Sequence, residues 1–122
     1  MTVNLGSVIT NLLQMDPNII AVTVIDANGT IIMQTENWDL SADIPGIFKI
    51  WQGGGGSLNI QGIKYITLEA IPERLVGTSV QGHGSIIGMS VGTGKIIAYV
   101  SPSGEPRSAL QTMIEATKGL SL

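Results

Sequence analysis

LNIQGIKYITLEAIPERLVGTSVQGHGSIIGMSVGTGKIIAYV, residues Leu58–Val100, decides the fold. Its apolar and β-branched residues come in short runs, and glycine, proline or a small polar cluster breaks each run, the pattern by which strands and turns are written in a sequence. The breaks mark a short strand at Leu58 to Ile60, then strands at Ile63 to Ala70, Arg74 to Val80 and Ser85 to Val91, and a last one at Lys95 to Val100 after the turn Gly92-Thr93-Gly94. Links this short make an antiparallel meander, because parallel neighbours need a crossover of about a dozen residues or more.

Upstream, Leu5, Val8, Ile9, Leu12 and Leu13 recur at helical spacing, with Asn4, Ser7, Asn11 and Gln14 on the other side and Asp16-Pro17 as a stop. Ile19 to Asp26 and Thr30 to Thr35 are β-branched runs joined by Ala27-Asn28-Gly29, where Asn-Gly suits the positive φ angles of a tight hairpin turn. Ser41 can cap a short helix through Asp43, Ile44, Ile47, Phe48 and Trp51, with Pro45 in its first turn. The glycines Gly53 to Gly56, followed by Ser57, fit equally a native helix-to-strand loop and an inserted flexible linker. After the meander, Ser103 and Gly104 open a final helix with Glu105 and Pro106 in its first turn, Lys118 in its last and Gly119 as its stop. Ala109, Leu110, Met113, Ile114 and Thr117 form its inner stripe, and Arg107, Gln111, Glu115 and Lys118 its outer one. Two terminal helices with apolar stripes need a common surface, which one face of a central antiparallel sheet provides. The expected class is α+β.

A length of 122 residues suits one domain spanning 1–122, and 43% hydrophobic against 12% charged residues marks a chain that folds throughout. Six basic residues against nine acidic give a net charge of −3, and the basic ones (Lys49, Lys64, Arg74, Lys95, Arg107, Lys118) are dispersed. That dispersion argues against nucleic acid, whose binding needs a concentrated cationic footprint, and against a polybasic membrane anchor. Without cysteine there are no disulfides, zinc thiolates or thiol nucleophiles. The N-terminal MTVNLGSVITNLLQMD lacks the features of a signal peptide, so a cytoplasmic location is expected.

Catalytic chemistry has little to work with. The one histidine, His83, sits between Gly82 and Gly84 in an expected exposed turn, and the carboxylates are scattered over separate elements. Gly92-Thr93-Gly94-Lys95 has the outline of a phosphate loop, but Ile96 stands where Ser or Thr is required and a strand follows instead of a helix. No enzyme, cofactor or metal site is expected.

The stretch Gly56-Ser57-Leu58-Asn59-Ile60-Gln61-Gly62-Ile63-Lys64-Tyr65-Ile66 resembles the profilin pattern of a short strand, a glycine and a lysine-tyrosine pair in the next strand. The hairpin Ile25 to Thr35 resembles the profilin hairpin, and Val76-Gly77-Thr78-Ser79 and the strand after Gly84 follow in matching order. Brevity and low charge make the chain look similar to the archaeal profilins of the Asgard group. The resemblance implies a profilin-like sheet with the terminal helices on one face and the short helix on the other. It implies monomeric actin as the partner, a cytoskeletal role, and an actin-facing set of Lys64, Ile66, Thr78 and Ile86 from strands with Glu105, Arg107, Ser108, Gln111 and Glu115 from the last helix.

Many profilins also bind polyproline on aromatic residues of the terminal helices and first hairpin. Here the first helix has no aromatic residue, Ile32 or a neighbour stands where the hairpin tryptophan is expected, and the chain ends Lys118-Gly119-Leu120-Ser121-Leu122, so that groove is expected to be missing. Trp38 and Trp51 are expected to be packing residues. Phosphoinositide binding stays open, with no residue to carry it. Roadblock and longin domains, regulators of small GTPases that often dimerise through a helix or strand edge, share the superfold and are the alternative; a profilin is expected to be a monomer.

Overall fold

The computed structural model describes residues 5–36 and 38–120. Asn4, Ser121 and Leu122, which figure in the helix and chain-end readings above, lie outside that range. In chain order the elements are α1 (Leu5–Met15), β1 (Ile19–Ile25), β2 (Ile31–Gln34), α2 (Ile44–Gly53), β3 (Ser57–Ile60), β4 (Ile63–Ile71), β5 (Arg74–Thr78), β6 (Ser85–Val91), β7 (Gly94–Val100) and α3 (Pro106–Ala116). The strands form one seven-stranded sheet in the order β2-β1-β7-β6-β5-β4-β3, antiparallel at every junction. The meander supplies β3 to β7, and β1 pairs with β7, so the N-terminal hairpin extends the sheet beyond its last strand.

Alternation along the strands divides the core into two layers. Val22, Val24, Val76, Ile87, Ile96 and Ala98 project to one side, where they meet Leu12 of α1 and Ala109, Leu110 and Met113 of α3. Ile25, Leu58, Tyr65, Leu75, Ile86 and Ile97 project to the other side, against Ile44, Ile47 and Trp51 of α2. The terminal helices therefore share one face and the short helix takes the other, as expected. Gly88 lets α2 approach, since a Cβ there would lie 2.8 Å from the Trp51 ring. Trp51 is 3% exposed and its indole N–H donates to the Ile71 carbonyl at 2.6 Å, which makes it a packing residue. Trp38 is half-buried and leans on Tyr99, with ring centroids 6.4 Å apart.

Three local readings are corrected. At the first hairpin only Gly29 takes a positive φ, 84°, while the Asp26 carboxylate accepts the N–H groups of Asn28 and Thr30. That side-chain-to-backbone turn replaces the expected pair of left-handed residues. Ser41 does not cap α2: its hydroxyl is taken by Asp39 Oδ1 at 2.5 Å, and Asp43 holds the cap position without a side-chain bond to the helix, its Oδ2 accepting the Gln61 N–H at 3.1 Å instead. In α3, Glu105 is the cap and Pro106 opens the first turn, because the Glu105 carboxylate accepts the Ser108 N–H at 2.6 Å; Lys118 falls beyond the last turn. Among the described residues no helix is long and apolar enough to cross a membrane.

Candidate functional site

On the α1/α3 side the helices lie over β1 and β6 and cover Val76 of β5, leaving the β3–β4 edge of the sheet open. The register assigns the side chains there. Ser57 pairs with Ile66 and Asn59 with Lys64, Ile66 pairs with Thr78, and Thr78 with Ser85, so all six share that face. Ser57, Asn59 and Lys64 are exposed, and Ile66 is 41% exposed. Thr78 is half-buried and its hydroxyl accepts from that of Ser85 at 3.4 Å. The edge beside α3 is therefore a shallow apolar and neutral strip with one cation.

The bulge between Thr67 and Glu69 sets what comes next. A residue inserted on one strand re-phases the alternation behind it. Glu69 pairs with Val76 and so lies on the α3 side, whereas Ala70, paired with Leu75, packs under α2. Leu68, at the bulge, is left 55% exposed. Glu69 then accepts from Arg74 Nε at 2.8 Å and Arg107 Nη1 at 3.1 Å, tying β4 to both β5 and α3. The hydrogen bond from Arg74 and then that from Arg107 hold its carboxyl below the usual range. Two guanidinium groups share this one carboxylate, and Glu73 and Glu105 act on Arg74 and Arg107 in turn, so a mixed charge cluster stands on the same face as Ile66.

Along the outer side of α3, Arg107, Ser108, Gln111 and Glu115 are all exposed. Glu115 receives Gln111 Nε2 at 3.3 Å and Lys118 Nζ at 3.0 Å, and the Lys118 bond keeps its carboxyl low. Glu105 is held low mainly by the Ser108 N–H. The structure thus brings together Lys64, Ile66 and Thr78 on the strands, and Glu105, Arg107, Ser108, Gln111 and Glu115 on the helix.

Ile86 does not belong with them. It pairs with Gly77 and Tyr99, projects to the α2 side and is 0% exposed. The residue of β6 on the candidate face is its neighbour Ser85. Leu68, Glu69 and Arg74 were missed. The opposite charges of Glu69 and Arg74 around Ile71-Pro72-Glu73 are a legible hairpin pairing, but nothing in the sequence announces the bulge that turns Glu69 towards α3.

His83 is exposed, and its carbonyl accepts the Tyr99 hydroxyl at 2.5 Å. Gly92 and Thr93 form the turn between β6 and β7, with Val91 paired to Gly94, so no phosphate cradle stands there. Among the described residues no group of three or more His, Cys, Asp and Glu could hold a metal ion.

A helix-flanked antiparallel sheet with an open edge, carrying exposed Ile66 and Leu68 beside the polar side of α3, is the surface of a protein-binding domain. Known proteins agree. No protein-family model matches the chain. Loki profilin-1 from Lokiarchaeum sp. (strain GC14_75) is 35% identical over 98% of this chain and 97% of its own length. Odin profilin from Odinarchaeota yellowstonii (strain LCB_4) is 35% identical over 83% of this chain and 84% of its own. Among solved structures, Loki profilin 2 in complex with rabbit actin superposes with a TM-score of 0.86 at 36% identity, covering 97% of this chain and 96% of that one. Profilin of Schizosaccharomyces pombe has the same fold, with a TM-score of 0.77 at 18% identity over 93% of this chain and 92% of its own. The chain belongs to the profilin family and stands near its Asgard members. It is not an enzyme.

Proposed function

We propose that this protein binds monomeric actin through the open β3–β4 edge, Thr78 of β5 and the outer side of α3, and so regulates filament assembly. The observation that carries the reading is the pairing of exposed Ile66 and Leu68 with the shared Arg74–Glu69–Arg107 cluster on that face. A similar chain, Loki profilin 2, has been solved bound to rabbit actin. Standard interfaces bury roughly 1,600 Å² in total and draw most of their energy from a few central residues. Ile66 and Leu68 supply the apolar centre, Lys64 and Arg107 the charged rim, and Thr78, Ser108, Gln111, Glu105 and Glu115 the polar surround. Occupying one end of the actin monomer keeps a pool unassembled and slows spontaneous nucleation, with no bond made or broken. A cytoplasmic location and a monomeric state follow from that role.

The experiment is a pyrene-actin assembly assay at fixed salt with wild type, Lys64→Glu and Asn11→Asp as a distant control. Lys64 is the cleaner charge probe, because it has no carboxylate partner among the described residues, whereas Arg107→Glu would set a second carboxylate against Glu69. Wild type is expected to slow nucleation, Lys64→Glu to slow it less, and the control to match wild type. Unchanged nucleation with wild type would sink the actin reading; equal behaviour of Lys64→Glu and the control would sink its placement on this face. The roadblock or longin alternative, which expects a dimer, is not favoured.

A further inference from the structure

On the opposite face, the end of α2, the β4–β5 turn and the adjoining ends of β6 and β7 border an open cleft of about 430 Å³ lined by Trp51, Gln52, Ala70, Pro72, Ser90 and Lys95. Lys95 is its one ionisable lining group. The Lys95 ammonium lies 4.3 Å from the centre of the Trp51 ring and donates to Ser90 Oγ at 3.2 Å, while the Ser90 hydroxyl itself donates to the Pro72 carbonyl at 2.5 Å. No carboxylate among the described residues lies within ion-pair distance of it. The exposed Gln52 amide stands at the mouth without a side-chain partner among those residues.

We propose that this cleft binds a small monocarboxylate with an apolar body, the carboxylate meeting the Lys95 ammonium and the Gln52 amide, and the body lying on Trp51, Ala70 and Pro72. A partly buried ammonium gains from a negative partner, and the protein supplies only a ring face and a hydroxyl. Burial accordingly holds the Lys95 ammonium below the usual lysine value. One cation balances one anionic charge. A dianionic phosphate would leave surplus negative charge beside the C-terminal carbonyls of α2, where Ile50 O already receives Gly54 and Gly55 and the helix dipole is negative. Three apolar walls call for a hydrocarbon portion, which a free organic acid or the carboxyl end of a peptide would both provide. The inference does not rest on the actin reading, since Lys95 pairs with Ile25 on the α2 side of the sheet.

The test follows the Trp51 indole and the Ser90 and Lys95 amide signals in nitrogen–proton NMR at constant ionic strength. The probes are hexanoate, hexanol, inorganic phosphate, and an acetylated dileucine peptide with a free or an amidated C-terminus. Saturable shifts with a roughly millimolar Kd are expected for the carboxylates, in keeping with so few ligand atoms. Tighter binding of the free-acid peptide than of hexanoate assigns the source to a peptide terminus, and the reverse assigns it to a free acid. Lys95→Met is expected to weaken binding about tenfold, the usual consequence of losing a charge-assisted contact. The proposal is overturned by the absence of saturable shifts with either carboxylate, by equal binding of hexanol, by tighter binding of phosphate, or by unchanged affinity in Lys95→Met. Should that variant not fold, Gln52→Ala at its exposed position decides: affinity lowered about threefold supports the site, and unchanged affinity overturns it.

Discussion

Ile66 and Ile86 look interchangeable as strand isoleucines, yet their truncations should have opposite consequences. Ile86 is 0% exposed, between Gly77 and Tyr99 under α2. Ile86→Ala removes buried carbons and leaves a cavity, at a cost of about 2–5 kcal/mol. With a domain of this size losing roughly 4 °C per kcal/mol, the melting temperature should fall by about 8–20 °C. Ile66 is 41% exposed on the open face, so its truncation loses only part of the burial of the removed carbons and encloses no cavity. At ~0.8 kcal/mol per buried CH₂ the cost is about 1 kcal/mol, or roughly 4 °C. Affinity for monomeric actin should order the variants the other way. Ile66→Ala is expected to weaken binding by about tenfold or more, as a central apolar contact does, and Ile86→Ala to stay within about threefold while folded. Thermal melts followed by circular dichroism and a fluorescence anisotropy titration of labelled actin at about 15 °C, roughly ten degrees below the reference 25 °C, provide both axes. Equal loss of stability in the two variants would contradict the strand register. Loss of actin affinity in folded Ile86→Ala but not in Ile66→Ala would contradict the assignment of the binding face.

Gly88→Ala should destabilise the fold by about 1–3 kcal/mol in urea titrations, because its Cβ would meet the Trp51 ring at 2.8 Å; an unchanged midpoint would mean that α2 does not seat on β6 as described. The Glu69 carboxyl lies below its ordinary value of 4.5 when folded, so the native state binds fewer protons than the unfolded one and the associated stability is full above that value and lost as pH falls through the folded one. Urea midpoints followed into acid should therefore fall more in wild type than in Glu69→Gln, and parallel curves would show that the two arginine bonds contribute nothing. A polyproline peptide should produce no saturable change in tryptophan emission or in the NMR signals of α1 and α3, since the aliphatic side chains there offer no ring for proline to stack on; saturation would overturn this.

The resemblance implies both Ile66 and Ile86 for one face, and what covers each strand explains why only Ile66 lies there. A sheet with one wet face writes its sides as alternating polar and apolar residues, but a strand covered on both sides is apolar throughout. β6 lies between α3 on one side and α2 on the other, so Ile86 and Ile87 are both 0% exposed and neither betrays its direction. Counting strands succeeded for the opposite reason: turns such as Gln61-Gly62 and Gly92-Thr93 interrupt every apolar run, and turn chemistry is local. Helix starts lay between these cases, since Ser103, Gly104 and Glu105 offer competing caps and only the bond from the Ser108 N–H to Glu105 selects one. Glu69 shows the limit most sharply. By plain alternation along β4 it belongs with Thr67 under α2, where an unpaired carboxylate could not be buried; the bulge at Leu68 moves it to the other face, into reach of two arginines. That one extra residue both exposes Leu68 and assembles the charge cluster beside it. The feature that shapes the face proposed to bind is thus a backbone irregularity stabilised by contacts between residues 5 and 38 positions apart, which no reading of neighbouring residues alone could supply.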